Sequence, residues 1–103
     1  MERDKALNLL SLARKGGNVV SGEFMTETTV KEGKAELVLV ASDASDNTKK
    51  MFTNMCSFYN TELRIYADKV SLGRSMGKEF RASAAVTDKG LADRIIELID
   101  NKE

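Results

Sequence analysis

A run of five apolar residues, Leu37 to Ala41, most constrains what this chain can fold into. It lies between Gly33 and a polar turn at 42–45, which is the length and setting of a β-strand. Both alternating sets of positions in the run are apolar, so both faces of the strand must be covered. A strand covered on both faces lies inside a sheet that has helices on each side. The run therefore predicts a layered α/β fold.

Helical and strand patterns alternate along the rest of the chain. The pattern predicts five helices, at 3–15, at 22–32, from a cap at Asp43 or Ser45 to about 58, from Asp68 or Ser71 to Gly73–Gly77, and from Thr87-Asp88 onward. The predicted strands are 19–20, 37–41, 63–66 and 82–86. We therefore expect a three-layer α/β/α sandwich with a four-stranded mixed sheet, formed by residues 1–103 as a single domain.

The composition is that of a globular cytoplasmic protein. Hydrophobic residues make up 42% of the chain and charged residues 31%, and 103 residues suffice for a core without disulfides or metals. No apolar run has transmembrane length, and the first ten residues lack a signal-peptide pattern. The one cysteine, Cys56, cannot form an internal disulfide, and we expect it to fill the core in a reducing cytoplasm.

The charge balance and the missing residue types narrow the function. Sixteen basic and sixteen acidic residues cancel, so a site for a polyanion requires local clustering of cations. Histidine is absent, and with it the side chain most used for proton transfer near neutral pH and the commonest metal ligand. These absences disfavour catalysis, so we expect a protein that is not an enzyme, with no catalytic residues, no metal site and no cofactor, and an enzyme is the weakest of the alternatives.

The segment 72–79 superficially resembles a nucleotide-binding P-loop. Three residues rather than four separate its glycines, and Glu79 stands where a magnesium-binding hydroxyl is required. A helix that ends at Gly77 is the simpler interpretation, but it leaves unexplained the cations that crowd around that glycine, which are Arg74, Lys78 and Arg81.

Gly22, Asp43 and Asp46 indicate whether the site binds a ligand or catalyses a reaction. Gly22, at the predicted start of the second helix, allows another backbone to come close, and the free amides of a helix start attract anions. Asp43 and Asp46 have the placing of helix caps rather than of an acid/base pair. Both observations favour binding over bond-breaking chemistry.

Four segments together resemble the kink-turn RNA-binding family of ribosomal proteins, of the large-subunit seven-Ae and thirty-e type, and especially its small bacterial YlxQ-like members. They are ARKGGNVVSG at 13–22, KEGKAELV at 31–38, ASDASDNTKK at 41–50 and LGRSMGKEFRASAAV at 72–86. The resemblance covers nearly the whole chain.

The resemblance implies a fold that binds structured RNA without catalysis. The start of the second helix would enter the RNA groove, and the loop at 77–81 would cover a flipped-out nucleotide. The family's Gly-x-Asn-Glu-x-x-Lys signature keeps its glycine at Gly22, but Phe24 and Met25 replace the Asn-Glu pair and Thr28 replaces the lysine. We therefore expect recognition of RNA backbone shape more than of base identity.

The expected partner is structured RNA, ribosomal or otherwise non-coding and including a kink-turn, with ribosomal proteins as further partners and DNA not among them. The expected contacts are Arg14, Lys15, Asn18, Gly22, Glu23, Phe24, Ser42, Asp43, Lys49, Arg74, Gly77, Lys78, Glu79, Phe80 and Arg81. This hypothesis requires folding to gather the cations beside Gly22. The alternative is a protein–protein interaction module that uses the edge formed by Phe24 and Met25, and it requires these two side chains to be exposed.

Overall fold

A computed structural model describes residues 4–101. Its helices are α1 (Lys5–Lys15), α2 (Glu23–Lys31), α3 (Asp46–Tyr59), α4 (Lys69–Ser75) and α5 (Lys89–Asp100). Its strands are β1 (Val19–Ser21), β2 (Leu37–Val40), β3 (Glu62–Ile65) and β4 (Ser83–Val86). The predicted order of elements is confirmed, with bounds shifted by one to three residues. The predicted helix start at residue 3 lies outside the described residues.

Side-chain caps fix where four of the helices begin. The carboxylates of Asp4, Asp68 and Asp88 each accept a hydrogen bond from a backbone amide three residues ahead, at 2.7–2.9 Å. Ser45 caps α3 in the same way, accepting from the Thr48 amide at 3.1 Å. Each bond satisfies an amide that the first turn leaves without a partner. The sequence left two candidates open for the cap of α3 and two for the cap of α4, and the structure shows that the caps are Ser45 and Asp68, respectively.

The sheet has the strand order β1-β4-β2-β3 and is mixed, as predicted. Strand β4 runs antiparallel to β1 and β2, whereas β2 and β3 are parallel and joined through α3. Every residue of β2 and β4 is buried, as a strand covered on both faces requires. Helix α2 contacts α3, while α1 contacts α4 and α5, which gives the two helical layers.

The core lies between the sheet and these two layers. Its largest fully buried side chains include Phe52, Leu10, Leu37 and Ile95. Cys56 is buried with them, as predicted. Helix α2, which is rich in threonine, depends on packing rather than on intrinsic helix propensity, since Thr26, Thr29 and Val30 are all buried. Within residues 4–101 no helix has the length and apolar character needed to cross a membrane.

Candidate nucleic-acid interface

One edge of the sheet gathers four chain connections. The register pairs Ser21 with Ala84 and Val40 with Ser83, so the ends of β1 and β2 lie beside the start of β4. The end of β3 lies at the same edge because Ile65 pairs with Val40. The connections that leave this edge are those after β1, β2 and β3 and the one before β4, and together they form what we call the loop edge.

Backbone hydrogen bonds tie these connections to one another. The amide of Gly22 donates to the Ser83 carbonyl at 3.0 Å, and the amide of Ala41 donates to the Ala82 carbonyl at 2.9 Å. The Ser42 amide donates to the Ala67 carbonyl at 2.7 Å. Segments far apart in sequence are therefore held at fixed positions along one edge.

Helix α2 begins at the loop edge without a side-chain cap. Gly22 occupies its N-cap position with a φ of 93°, a conformation that glycine adopts readily and other residues rarely do. Among residues 4–101 no side chain accepts from the amides of the first turn, which leaves these donors available to a ligand. Glu23 and Phe24 follow and are both exposed, and Phe24 keeps 76% of its surface accessible. An unsatisfied helix start of this kind accommodates an anionic group.

The loop at 77–81 folds back along α4. The amide of Lys78 donates to the Gly73 carbonyl at 2.9 Å, and the amide of Arg81 donates to the Lys69 carbonyl at 3.0 Å. Gly73 makes this approach possible, because a Cβ atom at that position would lie 2.4 Å from the Cα atom of Phe80. The loop is therefore fixed by its backbone, while its side chains, including Lys78 and Phe80, face outward as exposed groups.

Arg81 joins this loop to the end of β1. Its Nε donates to the Ser21 hydroxyl at 3.0 Å, and its Nη1 donates to the Phe80 carbonyl at 3.0 Å. A guanidinium carries five N–H groups, so further donors remain for a ligand such as a phosphate. Ser21 was missed as a site residue, and the contact spans 60 positions along the chain.

Arg14 reaches the other end of the same loop. A Cβ atom on Gly77 would lie 3.2 Å from an Nη atom of Arg14, so the guanidinium covers that glycine. Arg74 lies one turn away, since its carbonyl accepts from the Gly77 amide at 3.1 Å, and Lys78 follows directly. The structure thus places the Arg14 guanidinium over Gly77, and the backbone of Arg74 and Lys78 belongs to the same turn.

Neither Asp43 nor Asp46 caps α3, because Ser45 does, so the interpretation of these two aspartates as caps of this helix is wrong. Asp43 has another partner. Its carboxylate accepts instead from the Lys69 amide at 2.8 Å, which attaches the connection after β2 to the start of α4. Lys69 was not predicted as a site residue, although it lies at the loop edge directly after the capping Asp68. The exposed Ser42 lies at the same edge, and the half-buried Lys49 occupies the first turn of α3.

Asn18 lies away from the other predicted contacts. Its carbonyl accepts from the Thr87 amide at 2.9 Å, beyond the Val19–Val86 pair at the opposite end of β1. At roughly 3.3 Å per residue, the backbone between Asn18 and Gly22 covers about 13 Å. The exposed Lys15 ends α1 just before the turn that leads to Asn18, and the exposed Glu79 lies within the loop at 77–81. The structure therefore does not bring Asn18 to the loop edge.

Ion pairing divides the cations into two groups. Five cations each lie 2.6–3.6 Å from a carboxylate oxygen, and they are Lys31, Lys34, Arg64, Lys89 and Arg94. None of the six predicted contact cations has an ion pair with any residue of 4–101, and these are Arg14, Lys15, Lys49, Arg74, Lys78 and Arg81. Lys5, Lys50 and Lys69 likewise have no ion pair with the part of the chain that the structure describes. A chain with no net charge thus keeps a group of cations free of ion pairs, and of these Arg14 covers Gly77 while Arg81 reaches Ser21 beside Gly22. Acidic side chains, among them Asp43 and Asp68, share the loop edge with these cations.

Large apolar side chains are exposed on the segments that carry these cations, and they include Phe24, Met25 and Phe80 as well as Ile65 and Val70. Phe24 is 76% accessible, Phe80 57% and Met25 44%, so none of them belongs to the core. The exposure that the protein-interaction alternative requires at Phe24 and Met25 is therefore present. The loop edge combines aromatic rings, unpaired cations and free helix amides.

Comparison with known proteins identifies the family. Residues 4–96 match the model of the "Ribosomal protein L7Ae/L30e/S12e/Gadd45 family", and the chain belongs to that family. Within the family it resembles the bacterial YlxQ-like members. It is 42% identical to "RNA-binding protein YlxQ" of Bacillus subtilis (strain 168) over 92 residues, which cover 89% of this chain and 92% of that protein. The predicted resemblance is confirmed.

Two further relatives agree. "RNA-binding protein YlxQ" of Enterococcus faecium is 35% identical over 98 residues, covering 95% of this chain and 94% of that protein. A solved structure described as "a protein with unknown function from Bacillus halodurans C" superposes with a TM-score of 0.92 at 33% identity, and the match covers 95% of this chain and 99% of that one. The three-layer fold predicted from the sequence is therefore that of the family.

Proposed function

We propose that this protein is a non-catalytic RNA-binding protein of the ribosome or the translation machinery. It binds structured RNA in the cytoplasm through the start of α2 and the loop at 77–81. The names of the two YlxQ relatives and the ribosomal family support this function. The proposal rests on one observation, the gathering of unpaired cations around a loop that is fixed in place by its backbone.

The contacts follow from the chemistry of the site. Arg14, Arg74, Lys78 and Arg81 neutralise phosphates, and the uncapped amides of α2 offer a further place for one. The whole chain carries no net charge, so the attraction between these cations and phosphates acts only near the site. It therefore orients a bound RNA and does not draw every polyanion to the protein. A kink-turn is the RNA element that the family resemblance favours.

Charge reversal at the loop tests this function. We expect the variant with Lys78→Glu and Arg81→Glu to lose binding to a structured ribosomal RNA fragment in fluorescence anisotropy. At low salt, where the variant still binds measurably, the slope of log affinity against log salt becomes shallower by about 2, because each lost phosphate contact removes roughly 0.9 from the slope.

The matched control carries Lys89→Glu and Arg94→Glu on α5. It makes the same change in net charge at cations that are already paired with carboxylates. Thermal unfolding of each variant separates a loss of RNA contacts from a loss of folding, because Arg81→Glu also removes the hydrogen bond to Ser21. If the loop variant binds RNA as tightly as the parent, the proposed surface is wrong.

The exposure of Phe24 and Met25 favours a second candidate, a protein–protein interaction module on the same fold. Such a module would use the two apolar side chains and would not need the unpaired cations. Its binding to a protein partner would survive the change at Lys78 and Arg81, whereas RNA binding would not.

A further inference from the structure

We propose that Phe24 is a stacking surface for an unpaired base of the RNA bound at the loop edge. This inference rests on the proposed function and assigns a base contact to the position where the family signature has its asparagine. Because the side chain here is a phenyl ring instead of an amide, its contact with a base must be of another kind. A phenyl ring offers no directional hydrogen bond to a base edge, but it offers a flat face to any base.

The ring of Phe24 is free to take such a contact. It is 76% exposed in the first turn of α2, and it makes no ring contact with another aromatic residue among residues 4–101. In contrast, Phe58 is exposed to a similar degree, at 80%, but its ring lies against that of Tyr59 with centroids 4.9 Å apart. Exposure is therefore shared by the two phenylalanines, and only Phe24 leaves its ring without an aromatic partner.

The surroundings of Phe24 favour RNA over an apolar protein surface. Phe24 follows the exposed Glu23 and precedes the exposed Met25, and Ser21, three residues before Phe24, accepts a hydrogen bond from the Arg81 guanidinium. The cores of protein–protein interfaces are depleted in charged residues, whereas sites for unpaired nucleic acid combine aromatic faces with cations. An RNA segment supplies both a base for the ring and phosphates for the guanidinium.

A second ring lies at the same edge on a fixed backbone. Phe80 is 57% exposed, and its Cα atom is held close against Gly73. The hydrogen bond from the Gly22 amide to the Ser83 carbonyl ties the chain segments that carry the two rings. Both rings are therefore presented by ordered backbone, so that binding requires little further ordering of the protein.

Two RNA hairpins of equal length and charge test the inference, one fully paired and one carrying an unpaired bulge that contains 2-aminopurine. We expect the parent protein to bind the bulged hairpin more tightly and to change the fluorescence of the bulge. Phe24→Ala weakens binding to the bulged hairpin by roughly 5- to 150-fold, the range measured for the loss of one base stack. It leaves the fully paired hairpin unaffected, while Phe24→Trp keeps the preference and the fluorescence change.

Phe58→Ala is the matched control, because it removes an equally exposed ring near the end of α3, away from the loop edge. The inference is overturned if Phe24→Ala binds the bulged hairpin like the parent, or weakens both hairpins equally. If Phe24→Ala binds the bulged hairpin like the parent but the Lys78→Glu and Arg81→Glu variant loses binding, only the stacking role of Phe24 is refuted, and the proposed function is retained. If the parent binds neither hairpin, the proposed function itself fails, and the protein-interaction module takes its place.

Discussion

Replacing Gly73 by alanine isolates the packing that fixes the loop at 77–81. A methyl group at this position would lie 2.4 Å from the Cα, 2.6 Å from the carbonyl carbon and 2.7 Å from the nitrogen of Phe80. All three are backbone atoms, so no side-chain rotation relieves the overlap. Either α4 or the loop must move, and two hydrogen bonds from the loop to the carbonyls of Gly73 and Lys69 resist the movement.

Two opposing effects determine the size of the change. Alanine is favoured over glycine inside a helix by about 0.5–1 kcal/mol. Overpacking a close contact costs about 1–3 kcal/mol, and a clash with backbone falls in the upper part of that range. The expected net loss for Gly73→Ala is therefore about 1–2 kcal/mol of unfolding free energy, which lowers the Tm by roughly 5–15 °C for a chain of this length.

Thermal unfolding followed by circular dichroism measures this loss, and RNA affinity measured in parallel reports the displacement of the loop. Gly90→Ala is the control, because Gly90 lies in α5 and a Cβ atom there would meet only the Asp88 carboxylate, at 3.4 Å. That variant should be as stable as the parent or more stable, by up to about 1 kcal/mol. If Gly73→Ala melts at or above the temperature of Gly90→Ala, the close approach of the loop to α4 is refuted.

Two more predictions concern titrating groups. Hydrogen bonds from the Arg64 guanidinium lower the pKa of Asp100, so this pair stabilises the fold above the ordinary carboxyl pKa of 3.8 and loses its effect as the pH falls through the lowered value. The stability difference between the parent and Asp100→Asn in urea should shrink on acidification below about pH 3.8, and a difference that stays constant would contradict the pairing. Burial raises the pKa of the Cys56 thiol to about 11, so iodoacetamide should leave the folded protein unmodified at mildly alkaline pH and alkylate it in urea. Rapid alkylation of the folded protein would show that the thiol is accessible.

Much of the fold could be predicted from local patterns. Apolar residues at both alternating positions marked β2, and capping residues with glycines marked the helix ends within a few positions. Such signals depend on neighbours in the chain, so they are present in the sequence itself. The choice between Asp43 and Ser45 as the cap of α3 was not local, because Asp43 is taken by the Lys69 amide from another connection.

The candidate site was only partly predictable for the same reason. Asn18 and Gly22 are four positions apart, yet an extended strand separates them, and Asn18 lies at the opposite end of β1. Ser21 and Lys69 escaped notice because their contacts come from segments distant in sequence. Phe24 and Met25 were identified as departures from the family signature, but their exposure required coordinates.

The sequence by itself determined the order of helices and strands, the buried central strand and the family. These depend on side-chain patterns over a few turns of helix or one strand. Only the tertiary structure decided which cations are free. Antiparallel pairing of β4 with β1 sets Ser83 beside Gly22, and the fold places Arg14 over Gly77, while other cations meet carboxylates. Net charge is a sum over the chain, whereas an electrostatic surface depends on which charges lie next to each other in space.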